Sequence, residues 1–143
     1  MELTRLRGFR DLIGADARAM SFIEERARAL VERYSMKEVR IPVLERTQLY
    51  LRSTGETTDI VEKQMYTFTD RDEGETIVAL RPEGTPGVVR AYIEAGSDRT
   101  DPEQRLFYSG PMFRRERPQK GRYRQFFQFG VEEKRWERSW PLV

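Results

Sequence analysis

From Asp16 onward the apolar residues Met20, Ile23, Ala27, Leu30 and Tyr34 recur at spacings of three and four, with Glu24, Glu25, Arg28 and Glu32 between them. That period predicts an amphipathic helix. Val39, Ile41 and Val43 then alternate with Glu38, Arg40 and Pro42, which predicts a strand whose proline argues for an edge or a bulge. The stretch LRSTGETTDIVEKQ, residues 51–64, reads as a loop, with Asp59 placed to cap a helical turn over 60–63. MYTFT and TIVAL flank a charged segment containing Gly74 and predict an antiparallel hairpin. Thr85 then serves as N-cap and Pro86 as first residue of a second helix, running to about Ala95 and closed by Gly96. In the last third RLFYSGPMF and RQFFQFGVE read as two strands.

Between those strands lies a basic segment. Arg114, Arg115, Arg117, Lys120, Arg122 and Arg124 stand against Glu116 alone, with Pro118 and Gly121 among them. The net charge of +2 says little by itself, but this distribution calls for an anion. Alternation along the last strand puts Phe126, Gln128, Gly130 and Glu132 on one face and Phe127, Phe129 and Val131 on the other. The apolar trio is expected to be core. The polar face, an amide and a carboxylate beside a glycine, is expected to hold something polar.

Composition narrows the chemistry. The 143 residues fit one domain able to bury a core without disulfides or metals. With 35% charged residues against about 25% in an average domain, the chain is heavily solvated but patterned. There is no cysteine and no histidine, which removes thiol nucleophiles, imidazole bases and nearly all zinc chemistry. What remains is carboxylate chemistry, or catalysis by positioning and fixed positive charge, as phosphate-containing substrates require. No apolar run approaches the roughly 20 residues that span a bilayer, and the opening MELTRLRGFRDL lacks a secretory apolar core, so a cytoplasmic protein is expected.

Each candidate has a plainer alternative. The basic loop is a cradle for a polyphosphate or an RNA backbone, or else a solvated turn. Arg114 stands out because it ends an apolar strand, where packing fixes its base. Glu83, between Pro82 and Gly84, either stabilises a helix N-terminus or joins Thr85 in receiving a substrate ammonium. Glu132 is equally readable as a strand-end carboxylate paired with an arginine, and Gln128 as a satisfied interior amide.

Taken together, RGFRDL, GETTDIVEKQMYTF, LRPEGT and FRRERPQKGRYRQFFQFGVE, in that order, resemble the class II aminoacyl-tRNA synthetases and, closely, the histidyl-tRNA synthetases. The resemblance runs to about Glu132 and implies an α+β fold, an antiparallel sheet flanked by helices, here incomplete with the first two class II motifs only. Residues 16–44 look like the first motif, which in the family forms a dimer interface, so a homodimer is implied. The implied reaction joins histidine and ATP, with Mg2+, into histidyl-adenylate and then transfers histidine to tRNA(His). The resemblance assigns Arg114 to the ATP α-phosphate as the catalytic residue, Arg122 to the distal phosphates, Glu116 to the adenine amino group and Phe126 to stacking on adenine. It assigns Glu83, Thr85 and Gln128 to the histidine amino group and Glu132 to the imidazole. No resident metal is implied.

The departures are equally definite. Phe127 stands where the family commonly carries histidine, on the face expected to be core. The third class II motif, the histidine-specific segment and the anticodon-binding domain do not appear, and residues 133–143, with Trp136 and Trp140, do not read like the family's continuation. The expected division is therefore a catalytic part over 1–132 and an atypical tail, in a fragment of a ligase. Two other functions fit the same residues. One is a non-catalytic regulatory subunit, like the synthetase-like partner of ATP phosphoribosyltransferase. The other is an RNA-binding module using the basic loop with Tyr123, Phe126 and Phe127.

Overall fold

The computed structural model describes residues 3–54, 64–71, 74, 76–101 and 103–135. In chain order these form α1 (Ala15–Glu32), β1 (Lys37–Glu38), β2 (Leu44–Arg46), α2 (Thr47–Thr54), β3 (Tyr66–Asp70), β4 (Thr76–Leu80), α3 (Thr85–Glu94), α4 (Ser97–Thr100), β5 (Glu103–Phe113) and β6 (Gln125–Arg135). The result is a mixed α+β fold with two three-stranded sheets, β1–β5–β6 and β2–β4–β3, among the described residues. The expected antiparallel sheet is thus two sheets, and β1 runs parallel to β5.

The β5–β6 pair is the longest ladder, running from Glu103↔Arg135 to Phe113↔Gln125. Directly paired residues share a face, so Leu106, Tyr108, Gly110 and Met112 lie with Glu132, Gly130, Gln128 and Phe126. Helix α3 packs on that face, where Val88, Val89, Tyr92, Leu106, Tyr108, Met112 and Ile41 form the main core. Val88 and Val89 are wholly buried, each removing from water apolar surface that contributes about 2 kcal/mol. The expected hairpin is present as β3 and β4, with Phe68 opposite Val78. Gly74 takes φ 65° in its turn, a conformation that favours glycine.

Several expectations fail for identifiable reasons. Residues 39–43 are no strand. The Val39 N–H still reaches the Phe107 carbonyl at 2.9 Å, but the chain is leaving the first sheet for the second. The carbonyls of Ile41 and Pro42 accept instead from the Arg81 guanidinium at 2.7 and 3.3 Å. Residues 51–54, expected as loop, complete α2, where Tyr50 is buried with Met65 and Ala79 in a second cluster. The helical turn expected after Asp59 lies outside the described residues. Thr85 is no N-cap: Gly84 occupies that position, no side chain caps, and the Thr85 hydroxyl is used elsewhere.

Two apolar faces are left largely uncovered among the described residues. Helix α1 forms as expected but turns Arg28 and Val31 inward. The Arg28 guanidinium lies 5.3 Å from the Phe107 ring centroid, and Val31 is the buried residue of the helix. Ile23, Leu30 and Tyr34 are each more than half exposed, so the periodic stripe marks an apolar face that the described residues leave uncovered. On β6, Phe129 stacks on Phe107 with centroids 5.6 Å apart, but Phe127 and Val131 are 44% and 50% exposed. The trio is therefore not core, and Phe127 in particular faces outward. Alternation fixed the face correctly; what covers that face depends on where α1 sits. β6 also continues past residue 132 to Arg135, and 136–143 lie outside the described residues.

Candidate functional site

The site lies on the α3 side of β5–β6 and on the basic loop joining those strands. Its frame is Arg81, 4% exposed. Its backbone N–H donates to the Val43 carbonyl at 2.9 Å and its carbonyl accepts from Phe113 N–H at 2.9 Å. Its guanidinium adds Nε to the Pro111 carbonyl at 2.8 Å and Nη1 to that of Ile41. The segment Arg81–Thr85 is thereby pinned to β5, and Glu83, Gly84 and Thr85 are delivered over the sheet.

Beneath that segment lies Tyr108, 3% exposed. A Cβ on Gly84 would fall 2.1 Å from its ring, and one on Gly130 would fall 2.2 Å from it. The ring occupies the volume that two side chains would otherwise take. Above it, Thr85 Oγ1 donates to Glu132 Oε1 at 2.6 Å. Glu132 therefore meets a hydroxyl rather than an arginine. Glu83 is half-buried, and burial pushes its carboxyl above the ordinary range; nearby Arg114 partly offsets this and Glu132 adds to it. Gln128 Oε1 is buried with no protein donor, so it is not the satisfied interior amide of the plainer reading. An orphan acceptor of this kind is suited to a ligand N–H.

Arg114 joins this acidic pocket to the basic loop. Its Nε donates to the Pro82 carbonyl at 3.0 Å and its guanidinium lies 5.2 Å from the Phe126 ring centroid. Arg114, Glu116, Gly121, Arg122, Tyr123 and Phe126 line a cavity of about 340 Å³. Glu116 and Arg122 also line a cavity of about 530 Å³ on the other side of the loop. They form a loose ion pair at 3.6 Å, with Arg122 largely exposed. The loop is therefore not simply a solvated turn: it walls two cavities.

An amino-terminal strap braces the loop. Arg124 N–H donates to the Gly8 carbonyl at 2.7 Å, and Arg114 N–H donates to the Arg124 carbonyl at 2.9 Å, so three backbones run side by side. The Arg10 guanidinium sits 4.6 Å from the Tyr123 ring centroid. Sequence reasoning missed Arg81, Tyr108 and this strap. A glycine inside a strand hints at close approach, which was the available signal for Tyr108 beneath Gly130. Nothing local announces Arg81 or Gly8.

The fold is one shared with aminoacyl-tRNA synthetase catalytic domains. In fold alone, the chain matches the pyrrolysyl-tRNA synthetase of Desulfitobacterium hafniense with TM-score 0.65 and 19% identity, over 80% of this chain and 39% of that one. It matches a crystal structure of apo S. aureus histidyl-tRNA synthetase with TM-score 0.71 and 39% identity, over 91% of this chain and 28% of that one. Residues 8–133 match the family described as histidyl-tRNA synthetase. The chain belongs to the histidyl-tRNA synthetase family. The histidine–tRNA ligase of Pelobacter propionicus is 53% identical over 132 residues, 92% of this chain and 31% of that relative. The chain thus spans under a third of the length of the curated relatives it matches.

Proposed function

We propose that this chain supplies the ATP- and histidine-binding part of a histidine–tRNA ligase active site. The observation that carries the reading is the position of Arg114, anchored on the Pro82 carbonyl where the loop cavity meets the pocket of Glu83, Thr85, Gln128 and Glu132. In the reaction a histidine carboxylate oxygen attacks the ATP α-phosphorus and pyrophosphate leaves; histidyl-adenylate then gives its acyl group to the terminal ribose of tRNA(His). Arg114 contacts the α-phosphate, where negative charge gathers in the transition state and a fixed guanidinium is most effective.

Arg122, on the exposed side of the cavity, takes the distal phosphates, which arrive with Mg2+ as part of the substrate. Glu116 accepts from the adenine amino group, and Phe126 stacks on the base. Glu83, Thr85 and Gln128 accept from the histidine ammonium. Glu132 selects the imidazole, because a ligand without that N–H leaves its second carboxylate oxygen with no donor from the ligand. The exposed Ile23, Leu30 and Tyr34 on α1 suit the homodimer contact of the first class II motif. No described helix is long and apolar enough to cross a membrane, which fits cytoplasmic protein synthesis.

Calorimetric titration with MgATP tests the reading. The unmutated chain binds ATP, and Arg114→Ala weakens that binding more than about tenfold, the equivalent of about 1.4 kcal/mol. Absence of ATP binding by the unmutated chain would sink the proposal.

A further inference from the structure

The two limbs of the basic loop are unequal in length. At its base the Arg114 N–H donates to the Arg124 carbonyl at 2.9 Å, and nearer the tip the Arg122 N–H donates to the Gln119 carbonyl at 2.9 Å. Residues 115–118 on the outgoing limb therefore have Tyr123 alone opposite them, too little backbone to satisfy their own polar groups. Arg115 finds its partner outside the loop, with its N–H on the Gln64 carbonyl at 2.6 Å. Glu116 is met by a side chain: Arg124 Nε donates to its carbonyl at 3.2 Å.

The strap holds Arg124 from the other side. The Arg124 N–H donates to the Gly8 carbonyl at 2.7 Å, and its Nη1 to the Arg7 carbonyl at 3.3 Å. Its Cγ and Cδ run so close to Gly8 that a Cβ there would meet them at 2.8 Å. One planar fork thus spans from the strap to the outgoing limb, a reach that a point-like ammonium lacks. The other contact on Glu116 among the described residues is loose. Arg122 Nη1 stands 3.6 Å from the carboxylate on a side chain 66% exposed, and such a pair imposes little order. The aim of the Glu116 carboxylate comes from the backbone that carries it.

We propose that Arg124 is the positioning residue for nucleotide selectivity. Reaching over from the strap, it fixes the Glu116 backbone so that the carboxylate, in the cavity it lines with Arg114 and Phe126, accepts from the exocyclic amino group of a purine. This rests on the assignment of Glu116 to the adenine amino group. Arg114 does not depend on the Arg124 side chain. Its N–H uses the Arg124 backbone carbonyl, and its Nε rests on the Pro82 carbonyl at 3.0 Å. Loss of the Arg124 fork therefore weakens recognition of the base and leaves the α-phosphate contact in place.

The test uses Arg124→Met, which keeps the methylenes packed on Gly8 and removes every side-chain donor. Without nucleotide, the Glu116 carbonyl carbon resonance reports the bond by NMR. It should move upfield in the variant, while the Arg114 amide keeps its exchange rate. With nucleotide, calorimetric titration of the 143-residue chain compares MgATP with the magnesium complex of purine riboside triphosphate, which is ATP without the exocyclic amino group. The lost positive charge lowers both affinities alike, so their ratio is the readout. A preference for ATP of about tenfold is expected in the unmutated chain, the scale of one hydrogen bond to a charged group. In the variant it should fall below about twofold. An unmoved Glu116 carbonyl overturns the proposal. So does a preference for ATP that survives the substitution, which marks Arg124 as a general support of the loop. Equal binding of the two nucleotides by the unmutated chain overturns the assignment of Glu116 to adenine itself, and the selectivity role falls with it.

Discussion

Replacing Arg81 by methionine keeps the length of the side chain and removes its guanidinium. In the native chain that group donates at 2.8 Å to Pro111, at 2.7 Å to Ile41 and, less well, at 3.3 Å to Pro42. The two short bonds have a charged donor and are worth about 1.5–3 kcal/mol each, or about 3–6 kcal/mol together. Against this stands the cost of burying the charge, which also pulls the Arg81 pKa below its ordinary value. A net loss of about 3 kcal/mol follows. With a urea slope of about 1.5 kcal/mol per molar, expected for a domain of this size, the unfolding midpoint falls by about 2 M. A second substitution sharpens the test. A Cβ on Gly110 would lie 2.3 Å from Arg81 Nη2, so Gly110→Ala destabilises the native chain but is tolerated once Arg81 is methionine. The coupling in the double-mutant cycle should exceed about 1 kcal/mol. A midpoint shift below about 0.5 M for Arg81→Met, or strict additivity of the pair, would refute the reasoning.

Two further outcomes are expected. Burial raises the Glu83 pKa above its ordinary 4.5, so the folded state holds the proton more tightly than the unfolded one. Stability from this group is fully present below about pH 4.5 and is lost as pH rises through the raised value. Glu83→Gln should therefore stabilise the chain at pH 7 to 8, with the gain vanishing in acid; thermal unfolding across pH measures this, and a gain that persists unchanged at low pH contradicts it. At Gly8, φ 90° and the Arg124 side chain 2.8 Å from a would-be Cβ both oppose a substituent. Gly8→Ala should speed amide exchange at Arg114 and Arg124 and leave β3–β4 protected; unchanged exchange at those two amides would show that the strap is no brace.

Local pattern carried the sequence reading as far as local physics reaches. The hairpin of β3 and β4, helix α3 as an element closing before Gly96, and the long β5–β6 pair follow from period and turn chemistry, and they were legible; the start of α3 was one residue off. The grouping of Gln128 and Glu132 with Gly130 on one face followed from the two-residue repeat of a strand. What covers a face is not local. The period places Ile23 and Leu30 on one stripe of an amphipathic helix without saying what meets that stripe, and α1 docks through Arg28 on Phe107. Alternation puts Phe127 with Phe129 and Val131 on a face expected to be core, yet Arg28 of α1 lies over Phe107, on which Phe129 stacks, and Phe127 stays exposed. The 39–43 strand failed for a related reason, since a side chain 40 residues away takes its carbonyls. Thr85 had a plausible local role as a cap, and a partner 47 residues on outbid it.

The strap also dictates an order of assembly. Arg124 donates to the carbonyl of Arg7 across 117 positions. Closing a loop of that length in a disordered chain costs about 4 kcal/mol before any constant, more than a few exposed hydrogen bonds and one surface cation–π contact return. The amino-terminal residues can settle only onto a body already folded between them and the loop. The strap around Gly8 thus docks after the body between it and the loop has folded, and the wall of the cavity lined by Arg114, Tyr123 and Phe126 stays unbraced until it does.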